Sequence, residues 1–261
     1  MGAELRAVLL AHARSGSTLL MDVLDAQPDT SFAHEMFHQK TVNLPDYMGI
    51  ARRDAAALKP ERDADPNGFL DRVVAACPTR IFGFKWFRGH APAVRDRLVA
   101  DPAWRVVILH RENFLALFAS QRTARITGRY MARDAGAIPP TAPPLPFDAD
   151  EFLREHRRYR DYYDGLLRQC DGAGKAFHLV EYRQLSHPAV LRNVARHIGV
   201  EAPTLPAPRL VKQGSARLLA RFADPGQVQR TLDRLGRPQW AIEEEGFLRD
   251  PEAAQDDPAQ R

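Results

Sequence analysis

The sequence lacks any long apolar run and has only 2 cysteines among its 261 residues. No run approaches the roughly 20 apolar residues that span a bilayer, so we expect a protein that does not cross a membrane. Cys77 and Cys170 match neither a metal-ligand spacing nor a disulfide framework, which predicts two reduced thiols and a cytoplasmic location. The N-terminus also shows no signal-peptide pattern, because Glu4 and Arg6 come early and the apolar run after them is short.

The chain has no strong excess of one charge either. Its 37 basic and 33 acidic residues give a formal net charge of +4, which permits an anionic ligand but does not indicate a nucleic-acid partner. Hydrophobic residues make up 44% of the chain and charged residues 27%, as in ordinary soluble globular proteins. The composition therefore excludes fibrous, membrane-spanning and disulfide-framework classes and leaves the function open.

Strand-like and helix-like patterns alternate along the chain. Strands are expected at residues 6–12, 30–33, 80–86, 104–110 and 176–180. Helices are expected at residues 17–26, 66–77, 91–100, 112–130, 148–170, 188–198 and 225–235, and residues 39–65 are expected to be irregular. The alternation predicts a three-layer α/β fold with a central parallel sheet flanked by helices. Ligands of such sheets bind at the carboxyl ends of the strands.

The chain is interpreted as a single domain over residues 1–248, followed by a disordered acidic tail at residues 249–261. A proline-rich stretch at residues 134–147, "DAGAIPPTAPPLPF", suits neither a helix interior nor a central strand. We expect this stretch to leave the domain as an excursion.

The first strand ends in a small-residue turn of the kind that holds a phosphate group. The stretch "AVLLAHARSGSTLLMDVLDAQP" runs from an apolar strand through this turn into a helical pattern. Gly16 lets the backbone approach an anion, Ser17 and Thr18 offer hydroxyls, and the helix N-terminus offers N–H groups. Arg14 adds a fixed positive charge with a planar fork of donors. The alternative is that Ser15 or Ser17 merely caps the helix.

The turn departs from the P-loop of nucleoside triphosphatases, G-x-x-x-x-G-K-[ST], at two positions. Ala11 stands in place of the first glycine, and Ser17 stands in place of the lysine. A nucleoside triphosphatase without that lysine would lose its main cation on the β- and γ-phosphates. A P-loop-like nucleotide kinase is therefore an alternative rather than the favoured interpretation, and a catalytically inactive nucleotide-binding module is a second alternative.

The residues "RSGSTLL" after the first strand resemble the 5′-phosphosulfate loop of sulfotransferases that use 3′-phosphoadenosine 5′-phosphosulfate (PAPS). The resemblance is strongest to the bacterial carbohydrate branch, the trehalose and lipopolysaccharide sulfotransferases, in which an arginine precedes the small residues. "VVILHRENFLALFASQRTARITGRY" resembles the second signature of this family, an arginine at a strand end and a serine about nine residues later. "IFGFKW", "LVEYRQL" and "VKQGSARLLARF" resemble three further segments, although the glutamate and tyrosine of "LVEYRQL" are transposed.

The resemblance implies an enzyme, a PAPS-dependent sulfotransferase with a P-loop-like fold, which uses no metal and releases 3′,5′-adenosine bisphosphate (PAP). It implies that the 5′-phosphosulfate binds to the loop of Arg14, Ser15, Gly16, Ser17, Thr18 and Leu19. Arg14 is also expected to act in catalysis, because its charge serves the ground state and the transition state alike. It also implies that Arg111 and Ser120 hold the 3′-phosphate and that Lys212 and Gln213 close over the cofactor. The alternatives are a surface ion pair with Glu112 for Arg111 and a helix contact for Ser120.

The segment "AHEMFHQK" follows the second predicted strand and is expected to face the phosphosulfate loop. The resemblance implies that Glu35 is the base that accepts the proton of the acceptor hydroxyl. His38 and His34 are alternatives, since the ordinary pKa of histidine suits this task better. A structural alternative pairs Glu35 with Lys40 or Arg53.

The acceptor implied by the resemblance is a carbohydrate or a glycolipid. Lys85 and Trp86 end a predicted strand and are candidates for the acceptor pocket, because a tryptophan face suits a sugar ring. His38 is a third candidate for this pocket. The alternative for Trp86 is a core aromatic. Tyrosines at helical spacing indicate packing against the sheet or, as alternatives, a sugar platform or the contact of a homodimer; they are Tyr159, Tyr162 and Tyr163.

The residues His34 to His38 also spell H-E-x-x-H, the signature of zinc-dependent proteases. That signature needs a long amphipathic helix around it and a third ligand downstream. Here it follows a predicted strand, and Pro45 comes soon after. We therefore expect no metal.

Overall fold

Five strands form one parallel sheet within residues 2–128, 143–205 and 216–243, which the computed structural model of the protein describes. The strands are β1 (Leu5–Ala11), β2 (Thr30–Ala33), β3 (Ile81–Phe87), β4 (Trp104–His110) and β5 (Phe177–Glu181). Their order across the sheet is β2-β3-β1-β4-β5. The central strand β1 thus has β3 and β4 as neighbours, with Leu10 opposite Trp86 on one side and Ile108 on the other.

Helices flank both faces of this sheet. They are α1 (Ser17–Asp25), α2 (Arg52–Ala55), α3 (Lys59–Ala64), α4 (Pro66–Ala75), α5 (Pro92–Ala100), α6 (Phe114–Thr127), α7 (Ala149–Gly172), α8 (Pro188–Ile198) and α9 (Pro225–Leu235). Side chains of β1 alternate between the faces: Val8 and Leu10 enter a core shared with α4 to α7, and Leu9 enters a second core shared with α1 and α8. The predicted α/β fold with a central parallel sheet flanked by helices is confirmed.

Residues 39–65 contain helical segments, so the prediction that they are irregular is wrong. α2 and α3 lie there, together with single 3-10 turns at Asp46–Met48 and Ala56–Leu58. These segments are too short to show a helical repeat of apolar residues.

The start of the sixth helix also differs from the expected residue 112. α6 begins at Phe114 because the side chain of Asn113 accepts the N–H of Ala116 at 3.0 Å and caps the helix.

Several predictions fall on residues outside the described ranges. These are the roles of Lys212 and Gln213, the acidic tail at 249–261 and the first part of the proline-rich stretch. In the described part of that stretch, Leu145 exchanges backbone hydrogen bonds with Arg221 and Ala223.

Both cysteines are free and buried. None of the described helices has the length and apolar character needed to cross a membrane.

Candidate active site

The loop between β1 and α1 is held by its own backbone. Ser15 is fully buried, and its hydroxyl donates to the carbonyl of His12 at 2.8 Å. The N-cap of α1 is Gly16, which offers no side chain, and neither Ser15 nor Ser17 caps the helix through its side chain. The alternative of a serine cap is therefore wrong. The first N–H groups of α1 lack intrahelical partners, as in any helix, and they suit an anion.

Glycine is required at position 16 for two reasons. Its φ of 90° lies in the left-handed region, and a Cβ there would lie 2.7 Å from Tyr182 and 2.9 Å from Leu185. Gly16 therefore lets the turn close against the segment that follows β5. This brings the ring of Tyr182 to the edge of the loop.

Three arginines converge beside this loop. Arg14 donates through Nε to Ser120 Oγ at 2.9 Å, and Arg111 donates through Nη1 to the carbonyl of Arg14 at 2.8 Å. Arg221 donates to Thr123 Oγ1 on α6 at 3.0 Å. The structure thus brings together Arg14, Arg111 and Ser120, which the sequence analysis selected, and adds Arg221, which it missed.

Two of these arginines, Arg111 and Arg221, have lowered pKa values. Burial lowers the pKa of Arg111 to about 10, and the charges of Arg14 and Arg221 contribute in the same direction. Burial also lowers the pKa of Arg221, again with a contribution from Arg14. The Arg111 guanidinium lies 4.2 Å from the ring centroid of Tyr182. Such mutual repulsion is relieved by a bound anion, so the cluster has the charge of an anion-binding site.

Arg111 does not pair with its neighbour Glu112. It forms a buried ion pair with Glu243 instead, a residue beyond α9 that the sequence analysis also missed. Its backbone is fixed by Tyr159, whose hydroxyl accepts the N–H of Arg111 at 2.9 Å and donates to its carbonyl at 3.0 Å.

The other two tyrosines of α7 also bind strand ends. Tyr162 donates to the carbonyl of Ala11 at 3.1 Å, and Tyr163 donates to that of Leu109 at 2.7 Å. The tyrosine stripe therefore packs against the sheet and fixes the ends of the strands that carry the loop and Arg111.

Glu35 lies in the turn after β2 and pairs with Lys85 rather than with Lys40 or Arg53. Lys85 Nζ is 3.2 Å from Glu35 Oε1 and donates to Thr18 Oγ1 at 3.3 Å. Since β3 lies between β2 and β1, a lysine of β3 can reach both the turn after β2 and the loop after β1. One buried ammonium group thus connects the carboxylate to the loop, which has no lysine of its own.

The side chain of Lys85 is buried. Its side chain is only 5% exposed, and burial lowers its pKa, while the charge of Glu35 opposes that shift. A cation in a site of low polarity acts strongly on nearby negative charge.

A second buried group that the sequence analysis missed lies on the other side of Glu35. His90 Nε2 is 3.9 Å from Glu35 Oε2, and His90 Nδ1 accepts the N–H of Phe87 at 3.1 Å. Burial lowers the pKa of His90 to about 3, with further lowering from His38, Arg62 and Lys85. His90 is therefore neutral, and its proton lies on Nε2, which faces Glu35.

The turn that carries Glu35 is fixed by Arg62 of α3, also missed from the sequence. Arg62 is 2% exposed and donates through Nη1 to the carbonyls of Met36, His38 and Thr41 at 2.8 to 2.9 Å. The Asn43 side chain donates to the Glu35 carbonyl at 3.0 Å. The turn is thus held at Glu35 itself and at three residues that follow it.

The two alternative bases lie in this same turn. His38 Nδ1 accepts the N–H of Lys40 at 3.2 Å, and its ring lies 6.2 Å from that of His90. His34 is exposed. The turn is not helical, so His34 and His38 do not share the helix face that the zinc signature needs. Nowhere in the described ranges do three side chains of metal-ligand type form a group that would hold a metal ion.

Trp86 does not present a face to a sugar. It is 1% exposed, its N–H donates to the carbonyl of Ala91 at 3.3 Å, and the Arg95 guanidinium lies 5.7 Å from its ring centroid. The position is that of a core aromatic, which was the alternative interpretation.

No protein-family model and no curated protein matches the sequence. Among solved structures, the chain is similar to the crystal structure of a sulfotransferase from Alicyclobacillus acidocaldarius, with 17% identity, 91% of this chain and 99% of that chain covered, and a TM-score of 0.49. It is also similar to the sulfotransferase domain of the Synechococcus PCC 7002 olefin synthase, with 14% identity, coverage of 92% and 94%, and a TM-score of 0.43. At these identities and TM-scores, neither likeness assigns a function to this chain.

Proposed function

We propose that the protein is a PAPS-dependent sulfotransferase that transfers a sulfuryl group to a hydroxyl of a carbohydrate or glycolipid. The observation that carries the proposal is the position of Lys85, which connects Thr18 at the start of α1 to Glu35. A cation is thus placed between a carboxylate that can accept a proton and a loop that suits a phosphosulfate. The carbohydrate class of the acceptor rests on the resemblance of the sequence motifs.

The charges of the site fit a ligand with two separate anionic ends. The loop of residues 14–19, together with Lys85, would hold the 5′-phosphosulfate. Arg111 would hold the 3′-phosphate, with Ser120 and Arg221 beside it. Arg14 joins the two regions, because its side chain binds Ser120 while its carbonyl accepts from Arg111. Lys212 and Gln213 are proposed to close over the ligand.

When bound, PAPS supplies the sulfuryl group, and the bond between its sulfur and the 5′-phosphate oxygen breaks as the acceptor oxygen bonds to the sulfur. Glu35 accepts the proton of the acceptor hydroxyl, so that the sulfate ester, PAP and a protonated Glu35 account for all atoms. Lys85 stabilises the charge that develops on the departing phosphate oxygen. His90 and Arg62 keep the carboxylate in place.

Thr18 argues against a magnesium-dependent P-loop kinase. In that class, the Ser or Thr at this position binds Mg²⁺ through its hydroxyl. Here the hydroxyl accepts a hydrogen bond from the Lys85 ammonium group. A dication beside a buried ammonium is electrostatically unfavourable. The ion pair of Glu35 with Lys85 likewise argues against an inactive binding module, because simple nucleotide binding does not need it.

Calorimetric titration with PAP, AMP and ATP without magnesium tests this proposal. PAP should bind much more tightly than AMP, since charged hydrogen bonds to the 3′-phosphate contribute about 1.5–3 kcal/mol each. Arg111→Ala should weaken PAP binding at least about tenfold and leave AMP nearly unchanged. Equal affinities of the wild-type protein for PAP and AMP would refute the assignment.

A further inference from the structure

The ion pair between Arg111 and Glu243 lies where the proposed function places an anion. Both side chains are almost fully buried, with 7% and 4% exposure. A carboxylate and a phosphate accept the same paired hydrogen bonds from a guanidinium. Glu243 therefore offers Arg111 the negative charge and the hydrogen-bond acceptors that a phosphate ligand would offer.

The segment that carries Glu243 is attached by hydrogen bonds from Asn113 and, through an antiparallel bridge between Arg217 and Ile242, to residues 216–218. Asn113 donates to the carbonyls of Trp240 at 3.2 Å and Ile242 at 3.0 Å. The N–H of Glu243 donates to the carbonyl of Ala216 at 2.9 Å. Ile242 is 62% exposed, whereas Trp240 is buried. Trp240 thus anchors the segment, and residues 241–243 contribute little apolar burial of their own.

The same segment narrows the space beside Arg111. A cavity of about 150 Å³ lies there, lined among others by Arg111, Tyr182, Arg183, Ile242 and Glu243. Sites for small molecules usually measure about 300–1,000 Å³. A nucleotide does not fit in this cavity while Glu243 lies there, whereas a second cavity beside Arg111, of about 330 Å³, is not lined by Glu243.

We propose that Glu243 is an internal competitor for the anion site at Arg111. In the free protein its carboxylate neutralises the buried guanidinium, and a phosphate group displaces it on binding. This inference rests on the proposed function for the identity of the natural ligand, but the competition itself concerns any phosphate at Arg111. A ligand without an anionic group there would leave a buried arginine unpaired, which is strongly unfavourable.

Titration of wild-type protein and of Glu243→Gln with inorganic phosphate, and separately with PAP, tests the competition. The variant keeps the shape of the side chain and removes its charge. Its affinity for both ligands should rise at least about tenfold, and its melting temperature without ligand should fall, because Arg111 loses its partner. The matched control is Glu112→Gln, which removes one exposed carboxylate near the same arginine and should leave both affinities within about threefold.

The double variant Glu243→Gln with Arg111→Ala should lose the gain in affinity, which locates the effect at Arg111. Unchanged or weaker phosphate binding by Glu243→Gln would overturn the competition, because Glu243 would then be a structural partner or a ligand-binding group. If neither protein binds PAP while the variant binds inorganic phosphate more tightly, the competition holds and the proposed cofactor is wrong.

Discussion

Replacing Glu35 with glutamine is expected to lower turnover by about 10²–10⁴-fold, the usual contribution of general base catalysis. Glutamine keeps the shape of the side chain but cannot take the proton of an acceptor hydroxyl. The affinity for PAP should hardly change, because Glu35 is proposed to contact the acceptor rather than the cofactor. Turnover is measured as PAP release with the best substrate from a panel of carbohydrates.

The control is Glu61→Gln, which makes the same chemical change at an exposed ion pair with Arg72 and should leave turnover normal. Near-normal turnover of Glu35→Gln, together with its loss in His38→Ala, would show that His38 is the base. The sulfotransferase proposal itself would survive that result.

Replacing Lys85 with methionine is expected to lower turnover by about 10²–10³-fold, as for other groups that stabilise transition-state charge. Methionine fills similar apolar space but leaves the departing phosphate oxygen without its cation and Glu35 without its ion pair. PAP affinity should fall less than turnover, because Lys85 is proposed to act mainly on charge that develops during transfer.

Arg72→Met serves as the control, since it removes a cation from an exposed ion pair with Glu61. A melting temperature close to that of the wild type would show that Lys85→Met folds. Normal turnover in a folded Lys85→Met protein would show that Lys85 is not needed for catalysis. The proposed function would then lose its main support, the position of Lys85.

The sequence predicted the elements of the fold well because their signals are local. The apolar run of β4 and the pattern of α8 gave the observed bounds Trp104–His110 and Pro188–Ile198. The loop around Gly16 could also be predicted from the sequence, since a strand pattern, small residues and a helix pattern follow one another directly.

Only part of the assembly of the site could be predicted from the sequence. The turn of Glu35 was expected to lie beside the loop, but β3 lies between β2 and β1, and strand order depends on contacts between distant segments. His90 follows the end of β3, so a search of all strand ends would have found it. No local sequence pattern indicates that Arg111 pairs with Glu243. None indicates that Arg62 binds the backbone carbonyls of the turn that carries Glu35.

The most direct test of the central claim is incubation of the protein with ³⁵S-labelled PAPS and a panel of hydroxyl acceptors in the presence of a metal chelator. The label is expected to move to an acceptor, with one PAP released for each sulfate ester formed, and Glu35→Gln should nearly abolish both. Transfer of phosphate from ATP, with no transfer of label from PAPS to any acceptor, would contradict it.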